Sequence, residues 1–308
     1  MTQPETVESV RPLLLSIAYR MLGGVSDAED IVQEGLLRYH RELEAGTEIR
    51  SPKAYLSAVV TRLAIDHLRS AQVRRETYVG EWIPEPMLTD DDAHDVLAGV
   101  ERRESISLAF LLLLERLNPV ERAVFLLHDV FAYDYDEIAR IVDKSEANCR
   151  QLAARARRHI QAGRPRFDAS RQARDELASR FFAAVTGGDL EGLVEVLAAD
   201  VVVYGDGGGK VPQWAAPITG SERVARLFAG LGGRMREVGV RFELREVNGQ
   251  PGALVRDRAG QITNVLALDI RDGLVQTIRS VINPDKLRHL GPVADVRALL
   301  REPRPPFP

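Results

Sequence analysis

Apolar residues recur at helical spacing through the first quarter of the chain. Leu13, Leu14, Ile17, Ala18 and Met21 form one stripe that stops at Gly23-Gly24, the pattern of an amphipathic helix closed by glycine. Ser26, with Glu29 three residues on, reads as the N-cap of a second helix, with Ile31, Val32, Gly35 and Leu36 inward and carboxylates outward. A third helix starts near Ser51-Pro52, since proline is favoured in a first turn. Its apolar Tyr55, Leu56, Val59, Leu63 and Leu68 oppose a mostly basic surface of Lys53, Arg62, Asp66, Arg69, Arg74 and Arg75. Further on, residues 135–142 make a short helix with Ile138, Ala139 and Val142 on one face, and Asp143-Lys144 breaks it. Ser145 then caps a helix whose inward stripe is Cys149, Leu152, Ala156 and Ile160. A short helix, a tight turn and a second helix predict a helix-turn-helix.

Beyond Pro165 the period changes. Leu177, Phe181, Phe182 and Val185 give one helix face, Gly187-Gly188-Asp189 turns the chain, and residues 190–197 give another helix. β-branched or alternating runs follow at 201–204, 238–247, 253–256, 262–270 and 274–282, with Asn248-Gly249, Ala259-Gly260 and Asp272-Gly273 as hairpin signals. An antiparallel curved sheet wrapped by helices is expected. The whole reads as multidomain: all-α modules followed by an α+β domain.

The helix-turn-helix carries the most specific chemistry. Asn148, Gln151, Arg155 and Arg158 recur at steps of three and four outside the apolar stripe, with Ser145, Glu146 and Arg150 beside them. Amides bond adenine edges bidentately and guanidiniums bond guanine edges or phosphates, so this row suits the major groove. An ordinary solvated basic helix has the same composition, and it is the preceding short helix and turn that favour DNA. The net charge of -4 does not oppose this, because Asp90, Asp91, Asp92 and Asp95 mask the basic run 150–166 and DNA affinity follows local charge. Cys149 is the only cysteine, which excludes an intrachain disulfide and multi-cysteine zinc sites. His40, His67, His94, His128, His159 and His289 are scattered, so neither a metal nor another cofactor is expected. No run approaches the roughly 20 apolar residues of a membrane span, and no signal sequence is recognisable; a cytoplasmic protein is expected. A chain of 308 residues accommodates two or three domains.

The segment Asp27-Ala28-Glu29-Asp30-Ile31-Val32-Gln33-Glu34 resembles the core-polymerase-binding motif of bacterial extracytoplasmic-function sigma factors. Ala64-Ile65-Asp66-His67-Leu68-Arg69 resembles their promoter-melting helix. Leu117-Asn118-Pro119-Val120-Glu121-Arg122-Ala123-Val124-Phe125, followed by Tyr135-Asp136-Glu137-Ile138-Ala139, is similar to the region 4 signature that reads the -35 element. The resemblance implies core RNA polymerase and promoter DNA as partners. Asp27, Glu29, Asp30, Gln33 and Glu34 would dock on polymerase, an acidic face suiting a basic surface. Arg50, Ser51, Lys53, Arg62, Asp66 and Arg69 would handle the opened -10 strand, and the row from Ser145 to Arg158 the -35 groove. With no Walker-type phosphate loop in the chain, melting would draw on binding contacts and the polymerase. Where the family usually has glycine in the turn, this chain has Asp143, which visits a left-handed conformation less readily than glycine but better than most residues, so a slightly different turn is expected.

The C-terminal pattern resembles the SnoaL-like, ketosteroid-isomerase-like cone fold, whose concave sheet usually encloses a pocket. Trp82-Ile83-Pro84-Glu85-Pro86, Asp206-Gly207-Gly208-Gly209-Lys210 and Asn283-Pro284-Asp285-Lys286-Leu287 look like the motifs of the SigJ-type subgroup, in which this extension acts as a built-in regulator. The last motif is expected to face the linker, in which Trp82 between prolines is an apolar anchor. Lys210, on a glycine turn, is a candidate to hold a small anion, and a small-molecule ligand in the C-terminal pocket is a further candidate partner. The alternative is a catalytically active cone domain fused to the sigma half, with Asp206, Asp269 and Asp285 as nominal bases. The expected division is residues 1–76 for region 2, 77–103 for the linker, 104–166 for region 4, 168–291 for the SnoaL-like domain and 292–308 for a proline-rich tail.

Overall fold

A computed structural model describes residues 6–75, 78–90, 103–161, 170–214, 216–237 and 239–301. The chain divides into two compact units. The first holds Met1–Thr77 and Asp91–Arg164, the second Tyr78–Asp90 and Pro165–Pro308. Part of the linker therefore belongs to the C-terminal unit.

In the first unit, α1 (Val7–Leu22), α2 (Val25–Glu44) and α3 (Pro52–Arg75) form a bundle. Leu14, Ile17, Met21, Val32, Leu56, Val60 and Ala64 are buried in it. Gly23 ends α1 in the left-handed region at φ 72°, so the chain reverses at once and α2 begins at Val25 with Gly24 as its N-cap. This corrects the expected cap at Ser26, which lies inside the first turn. The remaining helices are α4 (Leu108–Leu114), α5 (Pro119–Phe125), α6 (Tyr135–Val142) and α7 (Glu146–Gln161), with a single π-helical turn at Leu126–Val130. Asn118 and Glu121 close a reciprocal capping box at the start of α5, and Pro119 occupies its first turn. Asp143 stands in the left-handed conformation, at φ 53°, so the turn expected to differ slightly keeps the conformation that glycine would take.

The second unit contains α8 (Arg171–Gly187), α9 (Leu190–Val196), β1 (Leu197–Asp206), β2 (Ile218–Thr219), α10 (Ser221–Glu237), β3 (Arg241–Val247), β4 (Gln250–Arg256), β5 (Ile262–Arg271) and β6 (Leu274–Val281). The strands form one sheet in the order β2-β1-β6-β5-β4-β3. Asn248-Gly249 and Asp272-Gly273 make the tight hairpins, all four residues having positive φ. The sheet is antiparallel except where β1 lies parallel to β6; the expected all-antiparallel sheet is corrected there. The physical reason is the α10 crossover, which carries the chain from one edge to the other before the meander returns to β1. On the helix side, Phe181, Phe182 and Phe228 meet edge to face at 5.1 and 5.4 Å and pack with Val203, Leu268 and Ile278. The segment set aside as a tail holds a short helix, Val296–Arg301, and Val293 bridges to Ile262. Residues 302–308, the rest of that tail, lie outside the described residues, as does the acidic run 91–102.

Candidate nucleic-acid interface and the linker strap

The two helices of the helix-turn-helix are fixed by local chemistry. The Ser145 hydroxyl accepts from the Asn148 amide at 3.3 Å, which caps α7 as its sequence position requires. Cys149, Leu152, Ala153, Ala156 and Ile160 are buried, which turns Glu146, Asn148, Arg150, Gln151, Arg155 and Arg158 outward. Three of the outward residues are already engaged. Arg150 pairs with Glu146 at 2.8 Å and lies 5.1 Å from the Tyr135 ring centroid. Arg155 pairs at 3.1 Å with Glu121, a carboxylate only 7% exposed. Sequence spacing placed Arg155 in the reading row but could not show the buried acid that aims it. Arg157, which it did not single out, donates to both oxygens of Asp129 at 2.9 and 3.0 Å. Burial pushes the Cys149 thiol up.

On α2, Asp27, Glu29, Asp30 and Gln33 are exposed along one face, while Glu34 is half-buried and pairs with Arg38 at 2.7 Å. His67 of α3 lies 3.6 Å from Asp27. The residues expected at the -10 strand are less alike. Ser51 caps α3 by accepting from the Ala54 amide, Arg50 sits 3.7 Å from Glu48, and Asp66 pairs with Arg69 at 3.1 Å. Lys53 is exposed. The Arg62 guanidinium is directed elsewhere, to the backbone carbonyls of Ile141 and Arg140 at 2.8 and 2.7 Å.

In the second unit the three short motifs, more than a hundred residues apart at the extremes, converge on one carboxylate. Asp206, fully buried at the end of β1, accepts from the Tyr78 hydroxyl, the Ile83 amide at 2.9 Å, the Gly208 amide at 3.1 Å and the Lys286 ammonium at 2.7 Å. Lys286 also donates to the Ile83 carbonyl and stands 4.5 Å from the Trp82 ring centroid and 4.8 Å from that of Tyr78. Burial, followed by the hydrogen bond to Asp206, pushes the Tyr78 phenol up. Asn283 donates to the Tyr78 oxygen at 2.9 Å. Gly208 has φ 58°, and a Cβ there would come within 2.2 Å of the Asn283 amide nitrogen, so this turn needs glycine.

From Asp206 the linker runs to the other side of the sheet. Met87 exchanges two hydrogen bonds of 2.8 Å with Asn248, Leu88 bridges to Val247, and the Thr89 amide donates to the Glu246 carbonyl at 2.8 Å. Asp90 ends the strap on Arg245 at 2.8 Å. Between β1 and the β3–β4 turn lie β6 and β5, about 14 to 19 Å of sheet at 4.8 Å per strand. Residues 83–87, about 14 Å long when extended, match that span. Ile83 and Met87 are buried, as are Leu254, Val265, Ala267 and Val281, which stand outside the helix-side core. Ile83, 1% exposed, is the deepest anchor; Trp82, expected in that role, is half-buried and serves as a face for Lys286. A cavity of about 190 Å³ opens at the strap's end, lined by Asp90, Arg171, Asp175, Arg245 and Glu246 among others.

Three family models match the chain. Sigma-70 region 2 matches residues 6–74, sigma-70 region 4 matches 107–160, and a SnoaL-like domain matches 178–275. The chain is 41% identical over 290 residues to the ECF RNA polymerase sigma factor SigJ of Mycobacterium tuberculosis (strain ATCC 25618 / H37Rv), covering 91% of each protein. It belongs to the extracytoplasmic-function sigma factors. A second relative, the probable ECF RNA polymerase sigma factor SigI of Mycobacterium tuberculosis (strain CDC 1551 / Oshkosh), is 32% identical, with 90% of this chain and 92% of that protein covered. The crystal structure of Mycobacterium tuberculosis SigJ superposes with a TM-score of 0.73 at 37% identity, covering 93% of this chain and 98% of that one. The protein is thus an alternative sigma factor with a fused SnoaL-like domain.

The candidate bases of this sigma factor's SnoaL-like domain all have cationic partners. Asp206 faces Lys286, Asp269 faces Arg279, and Asp285 faces Lys210 and Arg288. Lys210, expected to hold a small anion, is answered by Asp285 from the third motif. Among the described residues no helix is long and apolar enough to cross a membrane.

Proposed function

We propose that this sigma factor engages core RNA polymerase through the α2 face of Asp27, Glu29, Asp30 and Gln33. It reads the -35 element with Asn148, Gln151 and Arg155, and it handles the opened -10 strand with Ser51, Lys53 and the basic face of α3. The observation that carries this is the outward row on α7, behind a turn closed by a left-handed Asp143. That is the geometry of a recognition helix whose N-terminal half enters the major groove. The SnoaL-like domain acts in cis as a clamp on the linker and not as an enzyme: it holds residues 78–90 through Asp206, Lys286 and Asn248, and its candidate bases are neutralised by cations. A clamp on the linker between regions 2 and 4 sets how far the two promoter-reading modules reach.

Transcription in vitro with purified core polymerase tests both parts. The full chain should give promoter-specific transcripts that core alone does not, and Gln151→Ala should lose them selectively. Asp206→Asn should change transcript yield without changing the start site. Absence of transcripts from the full chain would sink the initiation reading. An unchanged yield for Asp206→Asn would sink the clamp.

A further inference from the structure

The last strand of the C-terminal sheet, β3, has one side paired with β4 and the other at the sheet edge. The turn at Asn248-Gly249 sets Val247 opposite Gln250, and the register runs without a bulge to Arg241 opposite Arg256. In a two-residue hairpin the residues flanking the turn exchange both backbone bonds. Val247, Arg245, Glu243 and Arg241 therefore turn their backbone groups to β4, while Glu246, Leu244 and Phe242 turn theirs outward. The strap obeys this alternation. Its Thr89 amide takes the Glu246 carbonyl at 2.8 Å, but the Glu246 amide donates at 3.1 Å to the Asp90 carboxylate instead of a backbone carbonyl. A side chain in the place of the next carbonyl ends the strand pairing there, and the chain from Asp91 to Arg164 belongs to the first unit. Phe242 and Leu244 are left facing outward, and among the described residues no further strand lies beside them.

An uncovered edge is a template for another strand, and the side chains of β3 select which one. Val240 and Phe242 pack on the helix-side core, with the Phe242 ring 5.7 Å from that of Phe182; Leu244, next on that face, is 50% exposed. On the opposite face Arg241 is exposed, stands directly across from Arg256 and has no ion-pair partner among the described residues. Glu243, 46% exposed, pairs with Arg256 at 3.0 Å. We infer that a second copy of this chain adds its own β3 to the edge, antiparallel about a twofold axis at Phe242. That axis sets Arg241 against Glu243 of the second copy, twice by symmetry, and Leu244 against Val240. Opposite charges across a strand pair stabilise it and like charges destabilise it. An axis at Arg241 or at Glu243 opposes that residue to its own copy. An axis at Leu244 needs the Glu246 backbone, which the strap holds. Charge and the strap leave one register. In it the two Phe242 residues exchange backbone bonds and each Leu244 amide reaches the Val240 carbonyl of the other copy, which joins two six-stranded sheets into one. The contact is short, so the dimer is weak and depends on concentration.

Sedimentation of the full chain from about 1 to about 300 μM should show a reversible equilibrium of monomer and dimer. Arg241→Glu should weaken the dimer about tenfold, because two surface pairs turn from attraction to repulsion. Adding Glu243→Arg should restore it, since each new carboxylate again faces a guanidinium. Leu244→Pro removes an outward N–H that serves no bond to β4 and should abolish the dimer without changing the circular dichroism of the chain. If that variant alters the fold, the charge swap carries the test. The register is read by cross-linking in a Cys149→Ala background. Residues 241 and 243 of the two copies form a non-hydrogen-bonded pair, with Cα atoms about 4.5 Å apart, which suits a disulfide. Arg241→Cys and Glu243→Cys proteins should therefore cross-link under mild oxidation when mixed and not when kept apart. A monomer across the whole range overturns the inference. So does a dimer that neither Arg241→Glu nor Leu244→Pro moves, since it would lie on another surface, and cross-linking of Glu243→Cys alone overturns the register. These measurements need neither polymerase nor DNA, so their failure is distinct from a failure of the promoter reading.

Discussion

Replacing Asp206 with Asn tests whether one buried carboxylate holds the linker. The substitution keeps the volume and removes the charge. Lys286, 7% exposed, keeps the Ile83 carbonyl and two aromatic faces but loses the Asp206 charge. The new amide also sets two N–H donors against the Tyr78 hydroxyl, the Ile83 amide and the Gly208 amide, all of which now donate to the carboxylate. Breaking a buried pair by removing one charge costs about 3 to 5 kcal/mol, and at about 1.4 kcal/mol per tenfold this shifts local opening by roughly a hundredfold or more. Amide hydrogen exchange reads that opening directly. The Ile83 amide donates to Asp206 and the Met87 amide to Asn248; both should lose about a hundredfold or more of protection if the strap opens as one unit. Amides in the centre of β5 should keep theirs. Lys286→Met should cost less, about 2 kcal/mol, because three donors still satisfy the carboxylate. The double variant should be milder than the sum of the two, since both charges of the Asp206–Lys286 pair are then removed together. A loss of protection below threefold in Asp206→Asn, or strict additivity in the cycle, would refute the reasoning.

Other expectations follow from single contacts. Gly208→Ala, at φ 58° with a Cβ placed 2.2 Å from Asn283, should destabilise the C-terminal unit by roughly 2 kcal/mol, seen as a lowered melting temperature of the full chain. Burial pushes the Asp90 carboxyl up, but the Arg245 hydrogen bond and the Glu246 amide outweigh it and hold the group below its ordinary 3.8. Its stabilisation is therefore fully present above about pH 4 and lost as pH falls through the lower folded value. Protection of the Thr89 amide relative to its intrinsic exchange rate should fall only in that acid range, and a loss of protection near neutrality would contradict the assignment. Asn148→Ala and Gln151→Ala should each cost about 1 to 3 kcal/mol on a cognate -35 duplex and little on unrelated DNA; equal loss on both would demote them to backbone contacts. Glu121→Gln should weaken cognate binding several-fold by releasing Arg155, and restored binding at low salt alone would mean that Arg155 meets phosphate instead. The Cys149 thiol, buried and with its pKa raised, should react with a disulfide reagent only as fast as region 4 opens.

The sequence alone determined the local elements and their order. Helical spacing, the glycines at 23, 24 and 188, Pro52 and Pro119, and the Asn-Gly and Asp-Gly pairs each act through neighbours a few residues away, so their signals are visible in a single chain. The outward row of α7 and the acidic face of α2 were legible for the same reason. Helix α10 was not. Gly230, Gly232 and Gly233 interrupt its pattern, and Gly232 is there because a Cβ would meet the Val185 carbonyl at 1.7 Å, a close helix approach that only packing reveals. The parallel pairing of β1 with β6, the choice of Ile83 over Trp82 as the deep anchor, Lys210 on Asp285, and Arg62 on the end of α6 join residues from about 70 to more than 100 positions apart. Nothing in the local pattern marks such pairs. A charged side chain takes whatever partner the fold brings to it, and burial, which decides how strongly it is held, exists only once the tertiary structure has excluded water.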